Sequence, residues 1–399
     1  MLVKTNDKQF CKNNEVMELK PLENKKRIEA VDALRGFALL GILIANIPFA
    51  EVSSSTGNIN AILNFLFHLL IDKKFISIFS ILFGFGVYIQ MKRAEEKNVG
   101  FKKYFVFRMV LLYAIGSVHA FVIWNGDILR AYAFGGIILM FIRKWNVKRL
   151  LITAIIFAIV ITGITFIGNS AFNWRHYNYD YALAIELPTT HSYLRYLSIN
   201  FIIDPWVNFL KDMPITLAYT FGNMILGFVL AKIDFFNLPE KWNKITTTLI
   251  IQGLTFGLAS SYIYYKITSG EIEFDTSMFW IPFILITGLI LQSLMYISLF
   301  LRFFQINGIN KILGVFKLVG KTSLSNYIFQ SVFYLFAFYH CTQTLQLFGK
   351  LTLTETWLVG IIFFIIESVF SYLWLRNHTQ GPLEFGWKKM SYKMALPKK

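Results

Sequence analysis

The stretch Ser117–Ala133, SVHAFVIWNGDILRAYA, carries His119, Asp127 and Arg130 inside otherwise apolar sequence. A charged side chain in the middle of a lipid-bound helix costs roughly 2.5–3.5 kcal/mol on insertion scales, so such groups persist where they are paired or wetted. Trp124-Asn125-Gly126 reads as a tight turn, which makes the stretch an antiparallel helical hairpin. His119 precedes that turn by about one and a half turns of helix. Asp127 and Arg130 lie just past it, so all three can meet at one membrane edge. Asp127 and Arg130, at i and i+3, share a helix face, and Asp127 near the helix start suits the dipole. A carboxylate that accepts from one imidazole nitrogen fixes the tautomer and raises the basicity of the other. His119–Asp127 therefore qualifies as a general-base dyad. A hydrogen-bonded knot that locks the hairpin has the same spacing, and both readings stay open.

Three further groups are chemically suggestive. Asp32-Ala-Leu-Arg35-Gly36 precedes an apolar run that ends at Asn46, Ile47 and Pro48. Asp32 and Arg35 form an i, i+3 pair at one membrane edge, with Arg35 able to snorkel, while the Asn46 amide sits near the opposite end. Asn326 and Gln330, at i and i+4, make one polar stripe. Glu367 stands alone in IIFFIIESVFSYLWL; an acid at that depth is a functional candidate by default, the alternative being a carboxyl bonded to a neighbour. The segment Gln380–Lys389, QGPLEFGWKK, reads as a turn followed by a cationic interfacial stretch.

The elements that position these residues follow from composition. The chain has 399 residues, 55% hydrophobic and only 16% charged, with a mean hydropathy of +0.52. No soluble core can bury that much apolar surface, and runs of about 20 apolar residues are what a bilayer span needs. The expected fold is all-α, a polytopic integral membrane bundle of about ten transmembrane helices near 33–50, 75–91, 104–124, 127–142, 149–168, 214–231, 245–265, 279–301, 323–340 and 356–375. The stretch 59–71 is too short to span comfortably and reads as interfacial. With the N-terminus inside, 29 Lys and Arg fall in cytoplasmic segments and 7 in outer ones, with Arg35, Arg108 and Arg130 within helices. That split follows the positive-inside rule and places both termini in the cytoplasm, with the chain in the cell membrane.

The organisation read from these signals runs as follows. Residues 1–27 form a polar, disordered cytoplasmic tail without a signal-peptide core. Residues 28–168 form an N-terminal transmembrane part, 169–213 an outer loop, 214–375 a C-terminal transmembrane part, and 376–399 a cytoplasmic interfacial tail. The 169–213 segment, rich in aromatics, His, Asp and Arg, reads either as a cap over an outward cavity or as an aromatic belt at headgroup depth. The net charge of +16 is spread in short clusters between apolar runs, which fits anionic lipid and not nucleic acid. Cys11 and Cys341 lie too far apart in sequence, and without partner spacing, to suggest a metal site or a disulfide framework.

Five blocks together resemble the bacterial YeiB-like family of multipass proteins of uncharacterised function. They are DALRGFALLGILIANI (32–47), KFISIFSILFGFG (74–86), GSVHAFVIWNGDILRAYAFGG (116–136), GKTSLSNYIFQS (320–331) and QGPLEFGWKK (380–389). The first block also resembles the wider transmembrane acyltransferase superfamily, which includes envelope O-acetylases and the heparan-glucosaminide N-acetyltransferase. That resemblance implies transfer of an acyl group from cytoplasmic acyl-CoA to an acceptor across the membrane. The O-acetylases carry a His ten residues after the Gly of D-x-x-R-G; here the position is Asn46, as it looks to be in the N-acetyltransferase branch. An amide is no general base, so the base is expected at His119, with His68 behind it.

The leading expectation is thus an integral-membrane acyltransferase-like protein. In it His119 deprotonates the acceptor, Asp127 orients His119, and Asn46 holds the thioester carbonyl. Arg35, with Asp32, lies near the phosphates of the donor, and Arg130, Asn326, Gln330 and Glu367 line the polar interior. No cofactor or metal is expected to stay bound; acyl-CoA is the expected donor. The partners are anionic lipid, a small-molecule, glycan or lipid-linked acceptor and, in one arrangement, a second copy of the chain. The rival expectation is a small-solute transporter with Glu367 as its coupling group.

Overall fold

A computed structural model of the chain describes residues 29–47, 58–96, 101–172, 177–237, 242–273 and 278–395. The 1–27 tail lies outside the described residues. Among the described residues eighteen α-helices follow one another: α1 (Glu29–Asn46), α2 (Asn58–Leu70), α3 (Lys74–Glu96), α4 (Phe101–Val118), α5 (Leu129–Ile142), α6 (Val147–Ile155), α7 (Thr162–Phe172), α8 (Tyr177–Thr189), α9 (Tyr193–Ile202), α10 (Phe209–Lys232), α11 (Asn243–Gln252), α12 (Leu258–Thr268), α13 (Ile281–Phe304), α14 (Ile309–Leu313), α15 (Phe316–Lys321), α16 (Ser323–Ala337), α17 (Leu353–Leu375) and α18 (Pro382–Ala395). Among the described residues there is no strand. Helices suit this composition because they satisfy their own backbone groups where no water can.

Among the described residues, five helical stretches are long and apolar enough to cross a membrane: Phe101–Ile123, Val147–Ile167, Met213–Lys232, Ile281–Phe304 and Leu353–Leu375. The remaining apolar segments fall on helices that are shorter or more polar. α5 has 14 residues and α16 has 15, which at 1.5 Å per residue rise only about 21–23 Å against a hydrocarbon thickness of about 30 Å. Outward-facing side chains fit lipid: along α17, Leu358, Ile361, Ile362, Ile365, Ile366 and Val369 are all exposed. A contiguous apolar stripe of that size on a water-facing surface would drive aggregation.

The segment expected as a long outer loop is instead largely helical. α8 and α9 occupy most of it, and α7 and α10 reach into it from either side. Ser192 caps α9 by accepting from the Arg195 N–H, and Arg195 clamps Glu186 of α8 through Nε and Nη2 at 2.6 and 2.7 Å. The length and the polar and aromatic content of the segment do not by themselves reveal these local caps.

The predicted hairpin is present, with α4 packed on α5. α1 packs on α3 and α15, while α18 lies across α4 and α16. The α1–α15 crossing depends on two glycines. A Cβ on Gly36 would stand 2.0 Å from the Phe316 carbonyl oxygen, and one on Gly320 would stand 1.8 Å from that of Asp32. Only hydrogen fits there, as at other close helix contacts in membranes. The crossing joins the Arg35–Gly36 and Gly320–Lys321 dipeptides, so it brings two cations of distant sequence to one place.

Candidate functional site

α4 does not end as a regular helix. His119–Ile123 form a single π-helical turn, closed by the Trp124 N–H donating to the His119 carbonyl at 2.8 Å. The wider turn re-aims the side chain relative to the α-helix below it, and such turns recur at functional positions. His119 is 1% exposed. Its Nδ1 lies 3.1 Å from Asp127 Oδ1 and its Nε2 lies 2.8 Å from Ser331 Oγ on α16.

Asp127 is held from several sides. Oδ1 accepts the Leu129 N–H at 3.1 Å and Oδ2 accepts the Arg130 N–H at 3.0 Å, so the carboxylate also caps α5. Arg130 donates from Nε to Oδ2 at 3.0 Å. Its other edge grips Asp204, just after α9, through Nη1 at 3.1 Å and Nη2 at 2.5 Å. The result is a continuous row, Ser331–His119–Asp127–Arg130–Asp204, in which each acidic, basic or hydroxyl group meets its neighbour. Gly116 of α4 makes room for it: a Cβ there would come within 3.0 Å of Asp127 Oδ2 and 2.9 Å of the Arg130 nitrogen.

The chemistry of the row follows from its donors. Asp127 accepts at both oxygens, so Nδ1 of a neutral His119 carries the proton and Nε2 carries the lone pair. The Ser331 hydroxyl then donates to Nε2 at 2.8 Å in preference to the Tyr327 carbonyl 3.3 Å away. An imidazole oriented by a carboxylate and facing a hydroxyl is an arrangement that accepts a proton when a nucleophile forms.

Below this row lies a cavity of about 260 Å³ between α1, α3, α4, α15, α16 and α18. Arg35, Arg108 and Lys321 line one end. Buried Arg108 Nε has no hydrogen-bond partner among the described residues, although the same guanidinium donates from Nη1 to Tyr104 and stacks 3.5 Å over the Trp387 ring. Buried charged donors are normally satisfied, so an orphan guanidinium N–H beside a cavity marks a place for an acceptor. Leu112, Leu129 and Tyr327 line the cavity as well, and each adjoins the buried row. Leu112 is one helical turn from Gly116, Leu129 bonds Asp127, and the Tyr327 ring centroid stands 5.1 Å from that of His119. α18 supplies Glu384 and Trp387. Glu384 accepts from the Leu324 and Ser325 N–H groups at the start of α16, at 2.7 and 3.3 Å, and Trp387 donates to the Arg108 carbonyl at 2.7 Å.

The other candidates are distributed. Arg35 Nη1 donates to Asp32 at 3.2 Å, and both sit at the cationic end. Asn326 donates to Thr322 Oγ1 and Ser371 Oγ at 3.0 Å each. Gln330 donates to Glu367 at 3.0 Å. These form a separate polar layer between α16 and α17, on a different face of α16 from Tyr327 and Ser331. Glu367 is fully buried and does not line the cavity. Among the described residues no hydrogen bond joins Asn46 to the His119 row. His68, the reserve base, sits elsewhere, with Nδ1 3.5 Å from Asp72 Oδ2.

Two members of the row were missed in sequence. Asp204 has a local signal, an acid just before Pro in IIDPW, where its Oδ1 accepts the Trp206 and Val207 N–H groups. Ser331 closes the GKTSLSNYIFQS block, one turn after Tyr327, but a serine 212 residues from its histidine carries no pairing signal.

Comparison with known proteins finds uncharacterised relatives along nearly the whole chain, YeiB among them. Residues 230–394 match the family described as "Protein of unknown function (DUF418)". The chain is 29% identical to the uncharacterized protein YxaH of Bacillus subtilis (strain 168), over 94% of this chain and 96% of the relative. It is 24% identical to an uncharacterized 39.9 kDa protein from the amylase 3' region of Bacillus acidopullulyticus, over 94% and 97%. It is 25% identical to the uncharacterized protein YeiB of Escherichia coli (strain K12), over 93% and 98%. No solved structure matches.

Proposed function

We propose that this YeiB-like protein is an integral-membrane acyltransferase, taking an acyl group from acyl-CoA and passing it to a glycan or lipid-linked acceptor. One observation carries the reading: a cavity cationic at one end approaches, at the other, a buried imidazole oriented by a carboxylate. The positive-inside count of Lys and Arg sets the Arg35 end in the cytoplasm. Both termini are then cytoplasmic, and about ten helical segments lie at membrane depth.

Each part has a role in that chemistry. Arg35, Arg108 and Lys321 face the donor phosphates, with the unpartnered Arg108 Nε as one waiting donor. A cavity near 260 Å³ is smaller than the 300–1,000 Å³ typical of whole drug-sized ligands. It therefore suits the narrow acyl-bearing arm of the donor, with the nucleotide left at the mouth. His119 acts as base and Asp127 holds its tautomer. The thioester-holding role expected for Asn46 finds no support in its position. Transport through Glu367 is the weaker reading, because Glu367 is sealed between α16 and α17 and bonded to Gln330.

Calorimetry of the purified chain with acetyl-CoA tests the proposal. Saturable binding is expected, weakened tenfold or more by Arg35→Ala, about 1.4 kcal/mol. Absence of binding by the unmutated chain would overturn it.

A further inference from the structure

We infer that Ser331 is the nucleophile of this site and carries the acyl group covalently between donor and acceptor. The inference rests on the acyl-transfer reading above and deepens it. The lone pair of His119 Nε2 is not aimed at open space; at 2.8 Å it already meets the Ser331 hydroxyl. The acceptor of an incoming proton is therefore committed to one internal donor, and a serine that loses its proton becomes an alkoxide-like nucleophile. The third member, Asp127, is fixed by two backbone N–H groups and by Arg130, so the orientation of the imidazole is set before substrate arrives.

Access comes from the cavity. Tyr327 lines it and precedes Ser331 by one turn on the same face of α16, with its ring against His119. Its hydroxyl donates to the Gly126 carbonyl at 3.4 Å, a long bond, and also meets the Ile128 backbone. A turn of the Tyr327 side chain joins the cavity to Ser331. In the first step the Ser331 oxygen bonds to the thioester carbonyl carbon and the carbon–sulfur bond breaks. The Ser331 proton passes to His119 Nε2 and then to the leaving sulfur, releasing free CoA thiol. In the second step an acceptor hydroxyl or amine attacks the serine ester, gives its proton to His119, and Ser331 regains that proton as the acyl group departs.

The test uses the full-length chain in lipid nanodiscs with radiolabelled acetyl-CoA, quenched in acid over a time course without added acceptor. The unmutated chain is expected to retain label on protein, and Ser331→Ala to retain none while binding acetyl-CoA within about twofold of normal. Ser331→Cys is expected to hold the label as a thioester that neutral hydroxylamine releases, whereas the serine ester resists it. A chain that binds and consumes acetyl-CoA yet carries no label at any time, or label that survives in Ser331→Ala, overturns this inference and leaves acyl transfer standing. No binding of acetyl-CoA removes both.

Discussion

Arg130 sits between two carboxylates whose side chains are fully buried, and deleting its charge is the sharpest structural test of the row. Arg130→Met keeps the length and apolar stem of the side chain but removes three charge-assisted hydrogen bonds, one to Asp127 and two to Asp204. Each such bond is worth about 1.5–3 kcal/mol. Their simple sum overstates the loss, because the bonds share one group and the pair was desolvated at a cost. Breaking a buried pair by removing one partner typically costs about 3–5 kcal/mol, since it strands the remaining charge. That is the expected loss for Arg130→Met. Asp204→Asn leaves Arg130 its Asp127 bond and is expected to cost about 1.5–3 kcal/mol. In the double variant the stranded Asp204 charge is gone, so its loss should fall short of the sum of the singles by about 1–3 kcal/mol. Reversible unfolding of the purified protein by SDS in mixed micelles, followed by tryptophan fluorescence, measures all three. Additive losses, or a loss under about 1 kcal/mol for Arg130→Met, would show that the row is not a coupled charge network.

Gly116→Ala should disturb the same place from the other side, costing about 1–3 kcal/mol by overpacking, because its new methyl group meets Asp127 and the α5 backbone; thermal unfolding alongside Gly386→Ala, where the space is open, gives the control. Asp72 offers a pH readout. Burial alone would raise its pKa, but the His68 side chain, Lys73 and Lys74 outweigh that and hold it at about 2. A depressed carboxylate stabilises the folded state above its unfolded value near 3.8 and loses that contribution as pH falls toward 2; Asp72→Asn should flatten the acid limb of stability between pH 4 and pH 2, and an unchanged limb would refute the assignment. For topology, cysteines placed at Thr189 and Lys144 in a Cys11→Ser/Cys341→Ser background should react differently with an impermeant thiol reagent on intact cells. Labelling at Thr189 alone is expected, and labelling at Lys144 would reverse the orientation.

What could be read in advance was the part of the site that is contiguous in the chain. His119, Asp127 and Arg130 lie within a dozen residues across one turn, so helix periodicity and a turn signal suffice to bring them together. Asp204 and Ser331 enter the same row from 74 and 212 residues away. Their arrival depends on how α9 and α16 pack, which no local pattern encodes. Hydropathy marked where apolar helices lie, but not where they break. The π-helical turn at His119 and the shortness of α5 and α16 depend on tertiary packing. The spacing of Asn326 and Gln330 marks a shared helix face, but spacing cannot say which neighbour that face meets; it meets Ser371 and Glu367 of α17, apart from the His119 row.

The docking of α18 also bears on how the molecule is made. Glu384 and Trp387 come from residues that follow the other described helices in chain order, yet they wall the cavity and tie down the start of α16 and the middle of α4. During synthesis the earlier helices are in place before this last segment can swing in and bond them. The cavity is therefore finished post-insertion, and a nascent chain stalled before residue 380 would hold its membrane helices while its cationic chamber stood open on one side.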